Sequence, residues 1–345
     1  MEALIDDVGS FPLPVSLERS LFNEAYFLAR QAIIDGKDVR KNDFLLRNFY
    51  RVVVDSFSRK LDSGLDVVNY PQHYDMYQQF LDIIHMAMEK GTYVVAEKDT
   101  VIPEIWVIKE EAKGFYEKIG RKIPLRVCIT GPLELYLKEV GTTLYTDVLM
   151  MFAETVRLFA ENSIFDSKYV KTEVVTLDEP SLGFQEIFNE RDVLIEALER
   201  AFDFKCVEKH IHLHSSSMVS DLMKIGNLDA LSLEYAASPK NIEGISKNML
   251  MNADKKIRIG ISRTDIDSIT AELFERGISK PTIQQFVESK DTIRRRLNIA
   301  KRKYGETLAF VGPDCGLGGW PTQEAAELLL HRTVTAVKNA STNIS

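Results

Sequence analysis

The sequence contains few cysteines and tryptophans and no long hydrophobic run. Its 345 residues include 3 Cys and 2 Trp. Three cysteines are too few for a disulfide framework, so each is expected to be a reduced thiol that is buried, reactive or bound to metal. The N-terminus lacks the pattern of a signal peptide, and no apolar run approaches the ~18 residues of a membrane span. We therefore expect a cytoplasmic protein with no membrane partner.

The chain also lacks an excess of positive charge. It has 43 Lys and Arg against 51 Asp and Glu, which gives a net charge of -8 at pH 7. No basic run is present that would neutralise a row of phosphates, so the sequence predicts no nucleic-acid partner. With 45% hydrophobic and 27% charged residues, the composition is that of an ordinary globular protein.

Short apolar, β-branched runs alternate with helical periodicity along the whole chain. The helical pattern is clear in Leu144, Val148, Phe152, Val156 and Phe159. Strands that alternate with helices predict right-handed crossovers and parallel pairing. Eight such units favour an α/β fold of the TIM (β/α)8 barrel type over an open doubly wound sheet, which is the alternative. The predicted strands are residues 4–9, 65–70, 125–130, 173–177, 210–214, 230–234, 257–262 and 308–312.

A single domain over residues 1–345 is the simplest interpretation, because no repeat, low-complexity tract or flexible linker interrupts the chain. Two segments, residues 91–124 and 263–279, are longer than a minimal barrel requires. Long excursions on a barrel usually serve its site, so both segments are predicted rim elements.

Chemically distinctive residues recur at the C-terminal ends of the predicted strands, which form the active-site face of such a barrel. His212 and His214 are two residues apart on strand five, so both imidazoles face the same side. Glu234 ends strand six, and Cys315 follows strand eight. Two nitrogens, one oxygen and one sulfur suit Zn²⁺, which the sequence predicts as cofactor. The residues leave open whether His210 replaces one of the two histidines.

Short motifs at the same strand ends resemble the cobalamin-independent methionine synthase family. The motifs run in order along the chain: residues 8–12 (VGSFP), 130–132 (TGP), 177–180 (LDEP), 212–214 (HLH), 233–234 (LE), 312–317 (GPDCGL) and 319–321 (GWP). The likeness is to the family's C-terminal catalytic barrel, without the N-terminal companion barrel of the long forms. It implies a barrel enzyme that transfers a methyl group to the thiol of homocysteine and forms methionine.

The resemblance also implies a ligand set. The family's zinc ligands are a His, a Cys two residues later, a Glu, and a Cys in a Pro-Asp-Cys-Gly context. By motif they fall on His212, His214, Glu234 and Cys315, so His214 stands where the family has a cysteine.

Residues that hold the substrate are implied in the same way. The family's Gly-Ser segment falls on Gly9 and Ser10, and the Asp of Asp-Glu-Pro falls on Asp178, whose carboxylate suits the ammonium group of an amino acid. A second carboxylate, which the family pattern has shortly before the position of Asp75, appears here as Tyr70 or a neighbour.

Asp178 and Asp265 are the predicted catalytic carboxylates. Asp265, like Asp314 beside Cys315, can support a ligand or carry a proton to the leaving group. Both Asp265 and Asp314 can equally be an N-cap or a turn residue, and that structural role is the one that the residues alone favour.

The methyl donor is predicted from what is missing. The long forms carry an indole after Thr-Gly-Pro that stacks on the folate, whereas residues 133–137 (LELYL) contain none. Together with the missing companion barrel, this argues against a polyglutamyl folate and for a methylated corrinoid, or a corrinoid protein, as partner. A related barrel that methylates another thiol such as coenzyme M, and a corrinoid- or metal-binding accessory protein, are the alternatives. A metal-dependent hydrolase is disfavoured, because its His-x-His pair lies on the first strand.

Overall fold

The structure of the protein, a computed structural model, describes residues 2–184 and 190–341. At its centre is an eight-stranded sheet with the order β1-β8-β7-β6-β5-β4-β3-β2, and every paired strand is parallel to its neighbour. The predicted TIM (β/α)8 barrel is confirmed. The strands are β1 Leu4–Ile5, β2 Val68–Asn69, β3 Ile123–Thr130, β4 Val170–Asp178, β5 Glu208–Leu213, β6 Ala230–Leu233, β7 Lys256–Ser262 and β8 Leu308–Pro313.

The sheet closes between β1 and β2 partly through side chains, beside two backbone bonds to the carbonyl of Ile5. One isolated parallel bridge connects the two segments. The amide of Ile5 donates to Asp66 Oδ2 at 2.9 Å, and the amide of Asn69 donates to Asp7 Oδ1 at 2.9 Å. Because carboxylates accept from amides that a longer ladder would use, both strands are shorter than predicted. The other six strands begin and end within three residues of the predicted positions.

Helices cover the outside of the sheet. The periodic stretch, apart from Leu144, lies on the helix Thr146–Ser163, where Phe152, Val156 and Phe159 are fully buried. Pro103 and Pro132 each begin a helix, at a position where the missing amide breaks no intrahelical bond. The described helices are α1 Arg19–Ile34, α2 Asp43–Leu45, α3 Arg51–Asp62, α4 Gln78–Met88, α5 Pro103–Ile119, α6 Pro132–Glu139, α7 Thr146–Ser163, α8 Arg191–Ala201, α9 Val219–Leu222, α10 Lys247–Asn252, α11 Ile266–Glu275, α12 Ile283–Phe286, α13 Lys290–Tyr304 and α14 Gln323–Ser341. None of these described helices combines the length and apolar character that crossing a membrane requires.

The two predicted rim segments contain helices of their own. Half of residues 91–124 forms α5, which packs on α3 through the rings of Phe57 and Phe115, with centroids 5.0 Å apart. Residues 263–279 contain α11. A functional role of these two segments at the rim of the site stays a prediction.

The barrel interior contains a buried ionic layer. The carboxylate of Asp6 accepts from Arg258 Nε at 2.8 Å and also from Arg126, and all three side chains are fully buried. Arg126 donates further to Thr176, and its guanidinium lies 3.2 Å from His210 Nδ1. One carboxylate thus balances two buried cations, so removing it would leave charge without compensation.

We therefore expect Asp6→Asn to lower the free energy of unfolding by roughly 3–5 kcal/mol, because a buried pair that loses one partner leaves the other charge uncompensated. Urea denaturation followed by circular dichroism measures the change. The matched control is Asp35→Asn, in an exposed pair with Lys37, for which little change is expected. Equal losses in the two variants would contradict the role given to the ionic layer.

Candidate functional site

The four predicted metal ligands lie together at the C-terminal end of the barrel. One ligand atom from each of His212, His214, Glu234 and Cys315 lies within 4.8 Å of all the others. His214 Nε2 is 3.3 Å from Glu234 Oε1 and 3.5 Å from Cys315 Sγ. Strands β5, β6 and β8 therefore bring side chains that are up to 103 residues apart in sequence into one cluster.

The histidines of β5 differ in depth and in partners. His210 is fully buried in the ionic layer beside Arg126. His212 Nδ1 lies 3.0 Å from Ser232 Oγ, whereas its buried Nε2 has no hydrogen-bond partner in the described part of the chain. Buried polar atoms are nearly always satisfied, so this nitrogen has room for a partner from outside the chain. His212 and His214, and not His210, face the cluster.

Burial controls the charge of this cluster. It raises the pKa of Glu234 to about 8, with further increases from the charges of Asp314 and Asp265. Burial, and then the charge of Glu234, also raises the pKa of the Cys315 thiol. The pKa of His212 is lowered well below its usual range, mainly by burial. A divalent cation would be the counter-charge that lets the carboxylate and the thiolate exist here together.

Asp314 holds the loop that follows β6. Its Oδ1 accepts from the amides of Tyr235 and Ala236 at 2.9 Å each, and its Oδ2 accepts from Ala237 at 2.7 Å. A Cβ at Gly260 would lie 2.0 Å from Asp314 Oδ1, so glycine is what makes room for this carboxylate. These contacts give Asp314 the structural role and fix the backbone just after Glu234.

The carboxylate of Glu179 connects the Asp-Glu-Pro segment, residues 178–180, to the helix that begins in the Thr-Gly-Pro segment, residues 130–132. Its carboxylate accepts from the amides of Leu133 at 3.0 Å and Glu134 at 2.7 Å, in the first turn of α6. A Cβ at Gly131 would lie 2.1 Å from Glu179 Oε1. A buried side chain on the β4 loop thus caps the helix after β3 and holds Asp178 at the barrel mouth.

Gly9 and Ser10 are tied to the segment after Cys315. Ser10 Oγ accepts from the amide of Gly318 at 3.0 Å, and the Ser10 carbonyl accepts from Leu317 at 2.6 Å. Gly9 has φ +67°, a conformation that favours glycine. The first and last strand ends therefore form one wall of the site.

Asn241 joins two of the ligand-bearing strand ends. Its Nδ2 donates to the carbonyl of His214 at 2.8 Å and to the carbonyl of Glu234 at 3.0 Å. The residue lies in a short 3-10 helix, Pro239–Ile242, and is nearly buried. The sequence did not predict these two bonds of Asn241, because no local motif indicates them.

A cavity of about 500 Å³ opens beside the cluster. Its wall includes Gly9, Ser10, Arg19, Asn23, Gln72, Asp178, His212, His214 and Cys315. Four buried side-chain atoms of this wall have no hydrogen-bond partner among the described residues: Asn23 Oδ1, Gln72 Nε2, Asp178 Oδ1 and His212 Nε2. Burial raises the pKa of Asp178 to about 7. A cavity with several unsatisfied polar atoms is suited to a polar ligand.

Two of the predicted site residues lie elsewhere. Tyr70 is fully buried outside the cavity wall, and its hydroxyl donates to the carbonyl of Cys128 at 2.8 Å. The chain turns at the short β2, so that Gln72 faces the cavity in its place. Both oxygens of Asp265 accept from Arg263, at 2.9 and 2.7 Å, and Asp265 is likewise outside the wall.

Comparison with known proteins agrees with this arrangement. No family model matches the chain. A methionine synthase from Methanothermobacter marburgensis is 25% identical over 289 residues, which cover 79% of this chain and 84% of that protein. A B12-independent methionine synthase from Shewanella sp. W3-18-1, solved in complex with selenomethionine, covers 99% of both chains with 16% identity and a TM-score of 0.61.

The resemblance to the cobalamin-independent methionine synthase family is confirmed. At 16% identity the solved structure shows the shared fold, and the relative from Methanothermobacter marburgensis adds likeness in sequence over most of both chains. The motifs that carry this resemblance lie in the segments that build the cluster and the walls described above.

We expect Asn241→Ala to weaken binding of a divalent metal roughly tenfold or more, because loss of outer contacts to ligand residues typically has effects of this size. Titration with Co²⁺, followed by its visible absorption, measures the affinity without any assay of activity. The matched control is Asn227→Ala, which removes one bond to the Glu199 carbonyl away from the cluster. Equal affinities in both variants would show that the Asn241 bonds do not position the ligands.

Proposed function

We propose that this protein is a zinc-dependent methyltransferase that transfers a methyl group to the thiol of homocysteine and forms methionine. The observation that carries the proposal is the cluster of His212, His214, Glu234 and Cys315 beside a polar cavity. The comparisons support a methyltransferase, since the relative from Methanothermobacter marburgensis is a methionine synthase.

The donor set fits zinc better than the other common divalent ions. Mg²⁺ and Ca²⁺ prefer oxygen ligands, whereas two imidazoles, a carboxylate and a thiolate suit Zn²⁺. The unpartnered Nε2 of His212 supplies a ligand atom that no other described residue uses, and Ser232 orients the ring from its other nitrogen. When bound, zinc lowers the pKa of a thiol so that its sulfur is a nucleophile at neutral pH.

The walls of the cavity hold and orient the acceptor. Asp178 offers an unpartnered oxygen that suits the ammonium group of an amino acid, and Gly9 and Ser10 line the same cavity. In the transfer the sulfur attacks the methyl carbon in line with the leaving group. A sulfur-carbon bond forms, and the bond from the methyl carbon to the donor breaks with its electron pair going to the leaving group. In this proposal Asp265 acts through its charge, which contributes to raising the pKa of Glu234.

A methylated corrinoid, free or on a protein, is the donor that we propose. With His214 in place of a cysteine, the cluster has two anionic ligands where the family pattern has three. A less negative site should leave the sulfur less nucleophilic, which calls for a donor more activated than a folate amine. The first turns of α6 also offer no indole for a folate ring.

The proposed unit is one zinc-binding barrel over residues 1–345, with 91–124 and 263–279 at its rim. Recognition of an ammonium group by Asp178 favours homocysteine over coenzyme M, which carries a sulfonate and no amine.

We expect the purified protein to contain one zinc per chain, and Cys315→Ser to lose that zinc together with at least about 99% of methionine formation, because a thiolate is a much stronger ligand than a hydroxyl. Mass spectrometry of the metal and an assay of methionine measure both losses. Cys206→Ser is the matched control, since Cys206 is exposed and lines a separate cleft near the start of β5. Full activity in Cys315→Ser would refute the proposed mechanism.

Donor choice is tested by supplying homocysteine with methylcobalamin or with polyglutamyl methyltetrahydrofolate. We expect methionine from methylcobalamin and none above background from the folate, because residues 133–137 of this chain offer no indole on which the folate ring could stack. Faster transfer from the folate would contradict the proposed donor. Zinc-loaded protein that uses neither of these nor a methylated corrinoid protein would contradict homocysteine as the acceptor.

A further inference from the structure

Gln72 is a strained residue whose side chain faces the cavity. Its φ is +44°, although it is not glycine, and only 2% of its surface is exposed. Its Nε2 is buried without a hydrogen-bond partner among the described residues, and the residue lines the same cavity as the metal cluster. Left-handed backbone and an unsatisfied buried donor are both unfavourable, so their coincidence in one residue calls for an explanation.

The residues on either side keep Gln72 in this conformation. The carbonyl of Pro71 accepts from the amide of Phe11 at 2.7 Å. The amide of His73 donates to Glu104 Oε1 at 3.0 Å, and His73 Nδ1 lies 2.9 Å from the Phe11 carbonyl. A strained residue persists where its surroundings determine it, and such residues concentrate at ligand sites. The backbone of Gln72 is therefore held in this conformation before any ligand arrives.

Gln72 and Asp178 each have a side-chain atom without a hydrogen-bond partner, one a donor and the other an acceptor. The Gln72 nitrogen can only donate, so it lacks an acceptor, whereas Asp178 Oδ1 lacks a donor. Both atoms line one cavity, together with the thiolate ligand Cys315. An amino acid presents one strong acceptor, its carboxylate, and one strong donor, its ammonium group. The two orphan atoms match the two ends of that zwitterion.

We propose that Gln72 is a specificity-determining residue, which donates its side-chain amide to the carboxylate of the thiol amino acid while Asp178 accepts from the ammonium group. This inference rests on the proposed function and names how its acceptor is recognised. The position of Gln72 agrees with it, since a Cβ at Gly9 would lie 3.9 Å from Gln72 Oε1. Gln72 thus lies beside the Gly9 and Ser10 segment that was expected to hold the substrate.

A neutral amide has a different effect from a carboxylate at this place. A carboxylate would attract the ammonium group and repel the carboxylate of the ligand, whereas an amide N–H favours the carboxylate. A site that is built to donate a hydrogen bond discriminates strongly against a ligand without the acceptor, because the buried donor is then left unpaired. The acceptor is therefore expected to need its carboxylate as well as its ammonium group.

Binding of three thiols distinguishes the contact of Gln72 with the carboxylate from the contact of Asp178 with the ammonium group. L-homocysteine has both groups, 4-mercaptobutyrate lacks the ammonium group, and 3-aminopropane-1-thiol lacks the carboxylate. Calorimetry with zinc-loaded protein gives the dissociation constant of each thiol without any methyl donor. The variants are Gln72→Ala, Gln72→Glu and Asp178→Asn, with Gln31→Ala on the exposed face of α1 as the matched control.

We expect Gln72→Ala to weaken homocysteine and 4-mercaptobutyrate by roughly tenfold or more, as for loss of a hydrogen bond to a charged group, and to leave the aminothiol unchanged. Asp178→Asn is expected to weaken homocysteine and the aminothiol while sparing 4-mercaptobutyrate. Gln72→Glu should weaken both carboxylate-bearing thiols further, because like charges then meet. Gln31→Ala should bind all three thiols as the original chain does.

Two results would overturn the inference. Tighter binding of homocysteine by Gln72→Glu would show that Gln72 faces the ammonium group, and an equal loss for all three thiols in Gln72→Ala would show a purely structural role. Gln72→Asn tolerates the left-handed backbone and shortens the side chain, so it should show the same selective loss if Gln72→Ala does not fold. Failure of the unaltered chain to bind any of the thiols would instead refute homocysteine as acceptor, and the inference would fall with it.

Discussion

The carboxylate of Asp6 lies between two buried guanidinium groups. Hydrogen bonds from this ionic layer lead to the residues of the candidate metal cluster. Arg258, held by Asp6, donates to the carbonyl of Pro313 at 2.7 Å, just before the thiol ligand on the same loop. Arg258 Nη1 also lies 3.5 Å from Ser232 Oγ, which in turn is 3.0 Å from His212 Nδ1. The ionic layer thus reaches two of the four candidate ligands from inside the barrel. A shift in this layer would move the ligand atoms above it.

Such a layer is a costly way to fill a barrel. Buried ion pairs often contribute no more to stability than well-packed apolar side chains of the same volume. Their advantage here is direction, since each guanidinium points its donors at chosen atoms of neighbouring strands. Above the layer, Glu179 and Asp314 act in the same manner on loops, because each binds amides of a different βα unit. Charged groups therefore set the geometry of the mouth, while the apolar core between sheet and helices supplies the bulk of the burial.

Much of this was predictable from the sequence, for reasons that differ between residues. The alternation of strand and helix patterns identified all eight strands, and the period of two placed His212 and His214 on one face. Glu234 and Cys315 were predicted from their positions at the ends of strands six and eight, and the resemblance implied the same four ligands. Tyr70 was predicted beside the substrate, yet β2 ends at Asn69, whose amide donates to the carboxylate of Asp7, two residues after β1.

The residues that the sequence did not reveal depend on long-range contacts. The positive φ of Gln72 comes from bonds between its neighbours and Phe11 and Glu104, and the two bonds of Asn241 join different strand ends. No local pattern encodes either arrangement. Both residues have side chains that hydrogen-bond in turns and loops of every kind, so their type alone carries little information about function.

The unpartnered atoms of the cavity connect stability with recognition. A buried polar atom without a partner costs on the order of 1–3 kcal/mol, and four of them face one cavity. Waters can satisfy such atoms in part, but each ordered water loses entropy. One ligand with donors and acceptors in the matching places satisfies several atoms at once. Since the strain at Gln72 and the burial of Asp178 are already present in the free chain, binding need not create them. The free chain is therefore less stable than it would be if these atoms had partners. A ligand that is complementary to all of these atoms regains this free energy on binding, and other ligands do not.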